Sequence, residues 1–248
     1  MTEEIPPTEK RLPVIEHLRE LRTCLIRSCV ALSVSAALSL YFTKDIFRIL
    51  QKPLLENLSL ESTFIATSPL EAMITYLKVG LLAGVFIASP VILHQVWRFI
   101  APALYAREKL LGATFVTVAT LLFVGGALFG YFIIFPVGFK FFVSIFVGTD
   151  IQFLPQMKDY LGFVTKMLLT FGILFELPLV LVSLSLMGVV SHHQLRSWRR
   201  YIIVLAFLVA GVLTPGPDIL SQLLMALPLL VLYELSLLTI WLIGKKKV

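Results

Sequence analysis

Charge is what this sequence has least of. Of 248 residues only 15% are Asp, Glu, Lys or Arg, while 58% are hydrophobic. Globular water-soluble domains average about a quarter charged residues, so that class is excluded. Cysteine is nearly absent too. Cys24 and Cys29 lie in or beside the first apolar run and are not spaced as C-x-x-C, so no disulfide framework or metal site follows from them. Also missing are H-E-x-x-H, G-x-S-x-G and the Walker A loop, which removes the common motif-bearing hydrolases and nucleotidases. The four histidines, His17, His94, His192 and His193, form no spaced cluster with acids or cysteines and read as surface or interface residues, so no metal or other cofactor is expected. The alternating segments of a membrane β-barrel are absent as well.

What is there is a series of long apolar runs. Six segments, near 24–42, 72–97, 110–136, 160–187, 201–214 and 219–243, predict an all-α integral membrane protein with one membrane domain over residues 1–248. The fifth is short: its 14 residues cover about 21 Å of a hydrocarbon layer roughly 30 Å thick. The turn "TPGPD" follows at once, so the last pair either spans a thinned or tilted position or is re-entrant. Pro90, Pro178 and Pro228 fall inside apolar segments and predict kinks, which membrane helices tolerate. The first residues, "MTEEIPPTEK", are acidic and proline-bearing, so the first run is expected to stay in the mature chain as an anchor.

Lysine and arginine set an orientation. Fourteen of the 21 fall on one side, from Lys10 to Arg27, Arg98 to Lys109, Arg196 to Arg200 and Lys245 to Lys247. Lys44, Arg48, Lys52, Lys140 and Lys158 fall on the other, with Lys78 and Lys166 near outer helix ends. The positive-inside rule then puts both termini in the cytoplasm. The net charge of +6 is topology signal and needs no nucleic acid to explain it.

Three features carry chemistry. Within 1–23, Val14, Leu18, Leu21 and, just beyond, Leu25 recur at helical spacing while Glu16, Glu20 and Arg27 lie toward another face, the pattern of an amphipathic helix at the cytoplasmic surface. The first cytoplasmic loop brings an aromatic belt of Trp97, Phe99 and Tyr105, and then Glu108 between Arg107 and Lys109. Glu108 reads either as a local ion pair of little energetic weight or, with Glu20, as an acceptor for a cationic ligand, above all a guanidinium. Glu176 stands in the fourth apolar segment, about midway. A carboxyl there is costly, and its neutral form is favoured at low dielectric. It reads either as a polar point in a partly hydrated, protein-lined groove or as a packing hydrogen bond to a neighbour such as Gln222.

The chain resembles the TatC family, the polytopic subunit of the twin-arginine protein translocase. The resemblance rests on "HLRELRTCL" from His17, "KPLL" from Lys52, "SPVILHQVWRFIAPALYAREK" from Ser89, "FGILFELP" from Phe171 and "LTPGPDILSQ" from Leu213. It implies six helices in a concave bundle and a membrane receptor for folded cargo bearing twin-arginine signal peptides. It also implies single-span TatA- and TatB-like partner subunits, an oligomeric complex and transport driven by the protonmotive force. By motif position, Glu20, Arg22, Phe99 and Glu108 belong to the signal-recognition surface, and Glu176 is the family's intramembrane acid. Pro53, Asp218 and Gln222 occupy family-typical positions. One departure is visible: Gly216 separates Pro215 from Pro217, where the family often has adjacent prolines.

Two other classes compete. A proton-coupled secondary transporter could use Glu176, although such folds usually carry several intramembrane polar residues and larger inverted repeats. An intramembrane enzyme would need a nucleophile or metal cluster at depth, and the sequence offers none. The orientation is directly testable. In a background with Cys24 and Cys29 replaced, a cysteine placed at Lys246 should resist an impermeant reagent added from outside, and labelling there would reverse the assignment.

Overall fold

The computed structural model describes residues 14–57, 64–100, 109–146, 149, 154–213 and 219–245. These form α1 (Val14–Leu40), α2 (Thr43–Leu55), α3 (Pro69–Ile100), α4 (Lys109–Phe129), a π-turn (Gly130–Ile134), α5 (Phe135–Ser144), α6 (Met157–Phe175), α7 (Leu177–Leu186), α8 (His192–Leu213) and α9 (Ile219–Lys245). Among the described residues the sole extended pairing is one parallel bridge between Ile65 and Gln156. Helices are the expected answer where lipid offers the backbone no hydrogen-bond partner.

Among the described residues, five helical stretches are long and apolar enough to cross a membrane: Ile15–Leu40, Pro69–Phe99, Ala113–Ser144, Met157–Leu186 and Ser221–Ile243. The segment expected at 201–214 is not among them. It is the apolar part of α8, whose first half carries Arg196, Arg199 and Arg200. Several boundaries also differ from the sequence reading. The amphipathic stripe and the first apolar run are one unbroken helix, α1. The third apolar run extends through the π-turn to Ser144. Helix α2 was not foreseen. Its Phe47, Leu50, Pro53 and Leu54 are buried on one side, while Lys44, Asp45, Arg48 and Lys52 give it the look of a polar loop.

Helices in lipid gain little from hiding apolar surface from one another, so their association depends on close packing. Small residues make that possible here. A Cβ at Gly84 would lie 2.7 Å from the Ala36 backbone, and one at Gly80 would lie 2.7 Å from the Leu40 side chain. At the far end of the same pair, the rings of His17 and Phe99 stack 4.3 Å apart. Helices α1 and α3 are therefore antiparallel, with the start of α1 beside the end of α3. Helices α4 and α6 approach as closely: a Cβ at Gly126 would stand 2.3 Å from the Phe171 carbonyl oxygen, and one at Gly172 would stand 2.7 Å from the Phe123 ring.

The bundle thus has a Phe99 end and an opposite Glu71 end. The Phe99 end also holds the start of α8, since the Met157–Leu186 span begins beside Glu71 and runs to that end; there the Tyr233 hydroxyl of α9 donates to the Leu195 carbonyl at 2.6 Å and Arg199 pairs with Glu234 at 2.6 Å. Two apolar cores result among the described residues. The larger includes Val79, Phe135, Val164, Leu168 and Phe171, and the smaller gathers Leu195, Tyr233 and Leu237, with Leu177 and Leu181 of α7 packed against it.

The α4–α6 contact gives a paired test. Gly126→Ala should destabilise the protein by about 1–3 kcal/mol, because backbone cannot step aside as a flexible side chain can. Gly125→Ala, where nothing lies within 4 Å of the new Cβ, should not. Unfolding in detergent reads the difference, and equal stability of the two variants would refute the close contact.

Candidate functional site

At the Phe99 end, α1 and α3 bring together part of the surface expected from sequence. Phe99 is half-buried beneath the His17 ring, with the two planes 19° apart. His17 Nδ1 lies 3.8 Å from a Glu20 carboxylate oxygen, one turn along α1. Glu20 and Arg22 are both exposed. Glu108 lies outside the described residues. One turn before Phe99, Gln95 is buried, and its Oε1 has no hydrogen-bond partner among the described residues. Trp97 stacks on Phe115 of α4 at 3.9 Å, tying the base of this surface to a second helix. Sequence reasoning missed Gln95 and the His17 stack. The motif "HQVW" held the first in plain view, but nothing in it says that the amide is buried.

Glu176 occupies a helix break. It closes α6 and opens α7 in one residue, at φ −73° and ψ −17°. Pro178 is the cause, since it brings no amide and its ring collides with the carbonyl four residues back. The Glu176 amide instead bonds the Ile173 carbonyl at 3.1 Å, and its carbonyl accepts from Val180 at 2.9 Å. The ten residues of α7 put Glu176 about 15 Å from the Leu186 end, and the nineteen of α6 put it about 28 Å from the other. Glu176 is therefore nearer the Phe99 end than the midpoint expected from sequence, and it marks where the chain passes from the larger core to the smaller. Its side chain caps neither helix, and its Oε1 is buried without a hydrogen-bond partner among the described residues.

No hydrogen bond joins Glu176 to Gln222. The Gln222 amide nitrogen instead lies 3.1 Å from where a Cβ of Gly211 would be, across the α8–α9 hairpin. Asp218 lies outside the described residues. Among the described residues no three His, Cys, Asp or Glu side chains gather as metal ligands would.

Pro53, a family-typical position, gains a physical account. It is buried inside α2 and cannot donate to the Ile49 carbonyl one turn back. The hydroxyl of Tyr131, in the π-turn, supplies that donor at 2.6 Å. The neighbouring Leu50 carbonyl accepts from the buried Tyr160 hydroxyl of α6, also at 2.6 Å. Two tyrosines thus fasten α2 to the bundle through its own backbone.

These features define a polytopic helical membrane protein with a half-buried aromatic and acidic surface at one end and a carboxyl at a helix break within the span. The chain belongs to the TatC family: residues 16–228 match the family described as Sec-independent protein translocase protein (TatC). A Sec-independent protein translocase protein TatC from Desulforapulum autotrophicum is 44% identical, over 96% of this chain and 88% of that one. Its counterpart from Aquifex aeolicus is 43% identical, over 91% and 93%, and that from Escherichia coli K12 is 38% identical, over 92% and 88%. A crystal structure of the twin-arginine translocase receptor TatC in DDM matches with a TM-score of 0.81 at 42% identity, covering 90% of this chain and 98% of that one.

The Pro53–Tyr131 arrangement can be tested by a double-mutant cycle. Tyr131→Phe should cost about 0.5–1 kcal/mol by removing the donor to the Ile49 carbonyl. In Tyr131→Phe with Pro53→Ala the restored amide at 53 should recover much of that loss. Strict additivity of the two changes in denaturant unfolding would refute the link.

Proposed function

We propose that this chain is the receptor subunit of a twin-arginine translocase, and that it binds the signal peptides of folded cargo at the Phe99 end. The observation that carries the reading is the His17–Phe99 stack beside the exposed carboxylate of Glu20. An aromatic platform next to an acid suits a guanidinium, which stacks on ring faces and bonds carboxylates in a bidentate fork. The buried amide of Gln95 lies one turn below this surface. Glu108 joins this surface by motif position, and Arg22 sits at its edge.

The lysine and arginine bias supports a cytoplasmic Phe99 end, with both termini on that side and α8 and α9 as the last two of six spans in a concave bundle. Glu176, half-buried at the helix break, is the point where a single-span TatA- or TatB-like partner or the transiting signal peptide would find a polar contact. Gln222 and Asp218 would contribute near the α8–α9 turn. Assembly with these partners into an oligomer, powered by the protonmotive force, completes the reading.

The test is peptide binding by the purified full chain. Glu20→Gln with Glu108→Gln should weaken a twin-arginine peptide at least about tenfold, the equivalent of a lost charge-assisted hydrogen bond. Replacement of the peptide's two arginines by lysines should narrow the difference between parent and variant, because lysine cannot use the fork. Equal affinity of the parent and the double variant for the twin-arginine peptide would sink the acidic-surface reading.

A further inference from the structure

Glu71 is only 6% exposed, and nothing in the proposed recognition surface uses it. It stands third in α3 after Ser68, in the sequence Ser-Pro-Leu-Glu. Ser68 caps the helix, its Oγ accepting from the Glu71 amide at 3.2 Å. In a capping box the acid at this position turns back to the amide of the capping serine. Glu71 reaches one residue further: one oxygen accepts from the Thr67 amide at 2.7 Å and from the Thr67 hydroxyl. The other oxygen accepts from the Lys158 amide at 3.1 Å. Lys158 is the second residue of α6, so its amide has no acceptor within its own helix. One carboxylate therefore serves as a shared cap, holding the turn that enters α3 and the free amide at the start of α6 across 87 residues of sequence.

The neighbouring backbone reinforces the join. The Ile65 amide donates to the Pro155 carbonyl at 3.1 Å, and the Met157 amide donates to the Ile65 carbonyl at 3.0 Å. Among the described residues the partners of the Glu71 side chain are all donors, so the carboxyl acts as an acceptor toward each. From this join α6 runs unbroken to Phe175 and ends at Glu176. The glycine contacts with α4 set how closely α6 approaches its neighbour, and the shared cap sets where α6 begins along its axis.

We infer that Glu71 is a positioning residue for Glu176. By fixing the axial register of α6 against α3, it fixes the depth at which α6 stops and the intramembrane carboxyl is presented. The inference rests on the translocase role proposed above for Glu176. It predicts a separation of effects: loss of the cap should leave peptide recognition at the Phe99 end intact and impair the later transport step.

The experiment uses the full chain in membranes with its single-span partner subunits, and with Cys24 and Cys29 replaced by Ser. Glu71→Ala should export a folded twin-arginine reporter about tenfold more slowly while crosslinking of the signal peptide near Phe99 stays within about twofold of the parent. The Lys158 amide should lose its protection from hydrogen exchange. A disulfide between Ile65→Cys and Gln156→Cys should then restore export, because it replaces the join covalently. Bridge partners lie about 4.8 Å apart, within the range that disulfides span. If Glu71→Ala does not accumulate, Glu71→Gln carries the test. It keeps one carbonyl acceptor for Thr67 but sets an amide donor against the Lys158 amide, so it should show intermediate export, again restored by the disulfide. Export at the parent rate by the replacement tested, or a loss that the formed disulfide does not reverse, overturns the positioning role. Failure of the parent itself to crosslink the peptide would count against the translocase reading instead.

Discussion

A proline within a helix leaves the carbonyl four residues back without its helical donor. This fold meets that constraint in two ways. At Pro53 the helix continues, and the stranded Ile49 carbonyl takes its hydrogen bond from Tyr131, 82 residues away in sequence. At Pro178 the helix stops, and α7 begins afresh after a single residue. The first solution ties α2 to the body of the protein. The second leaves a carboxyl at the joint between two cores, with a buried oxygen that nothing in the described chain satisfies.

The two ends of the bundle differ in how fully their polar groups are matched. Near the Glu71 end, the buried acid, the hydroxyls of Tyr131 and Tyr160 and the capping Ser68 all have partners. Near the Phe99 end, Gln95 keeps an oxygen unmatched among the described residues, and the exposed Glu20 lies beside His17. The Arg199–Glu234 pair and the Tyr233 hydroxyl hold α8 to α9 at that same end. One end is closed by its own bonds, while the other has anchored helices and acceptors to spare.

The long spans were legible because bilayer thickness imposes a length on apolar runs, and composition alone shows where they lie. Glu176 was legible because an acid in such a run is conspicuous. Its precise setting was not: Pro178 suggested a kink, since many membrane helices bend at proline without stopping. Helix α2 was hidden because Lys44, Asp45, Arg48 and Lys52 mask a buried face carried by a handful of residues. The arginines before Tyr201 set the apparent start of the fifth segment, although α8 begins at His192. Glu71 could not be found by local reading, since half of what it does depends on Lys158, a partner that only the fold supplies. Glu20, Arg22 and Phe99 were legible through motif, yet the ring beneath which Phe99 lies belongs to His17, which had been set aside as a surface residue.

The π-turn at Gly130–Ile134 has a consequence for how the chain can change in length. A π-turn holds one residue more than the helix on either side, and that residue rotates everything after it by about 100°. The rotation is what presents Phe135 and Phe139 to Phe163 and Tyr160 of α6. Deletion of one residue between 130 and 134 would give a straighter, better-bonded helix and still turn that aromatic face away. The turn therefore acts as a counter. A residue gained or lost elsewhere in α4 is tolerable only when the opposite change occurs here, so drift in the length of this span should come as coupled insertions and deletions.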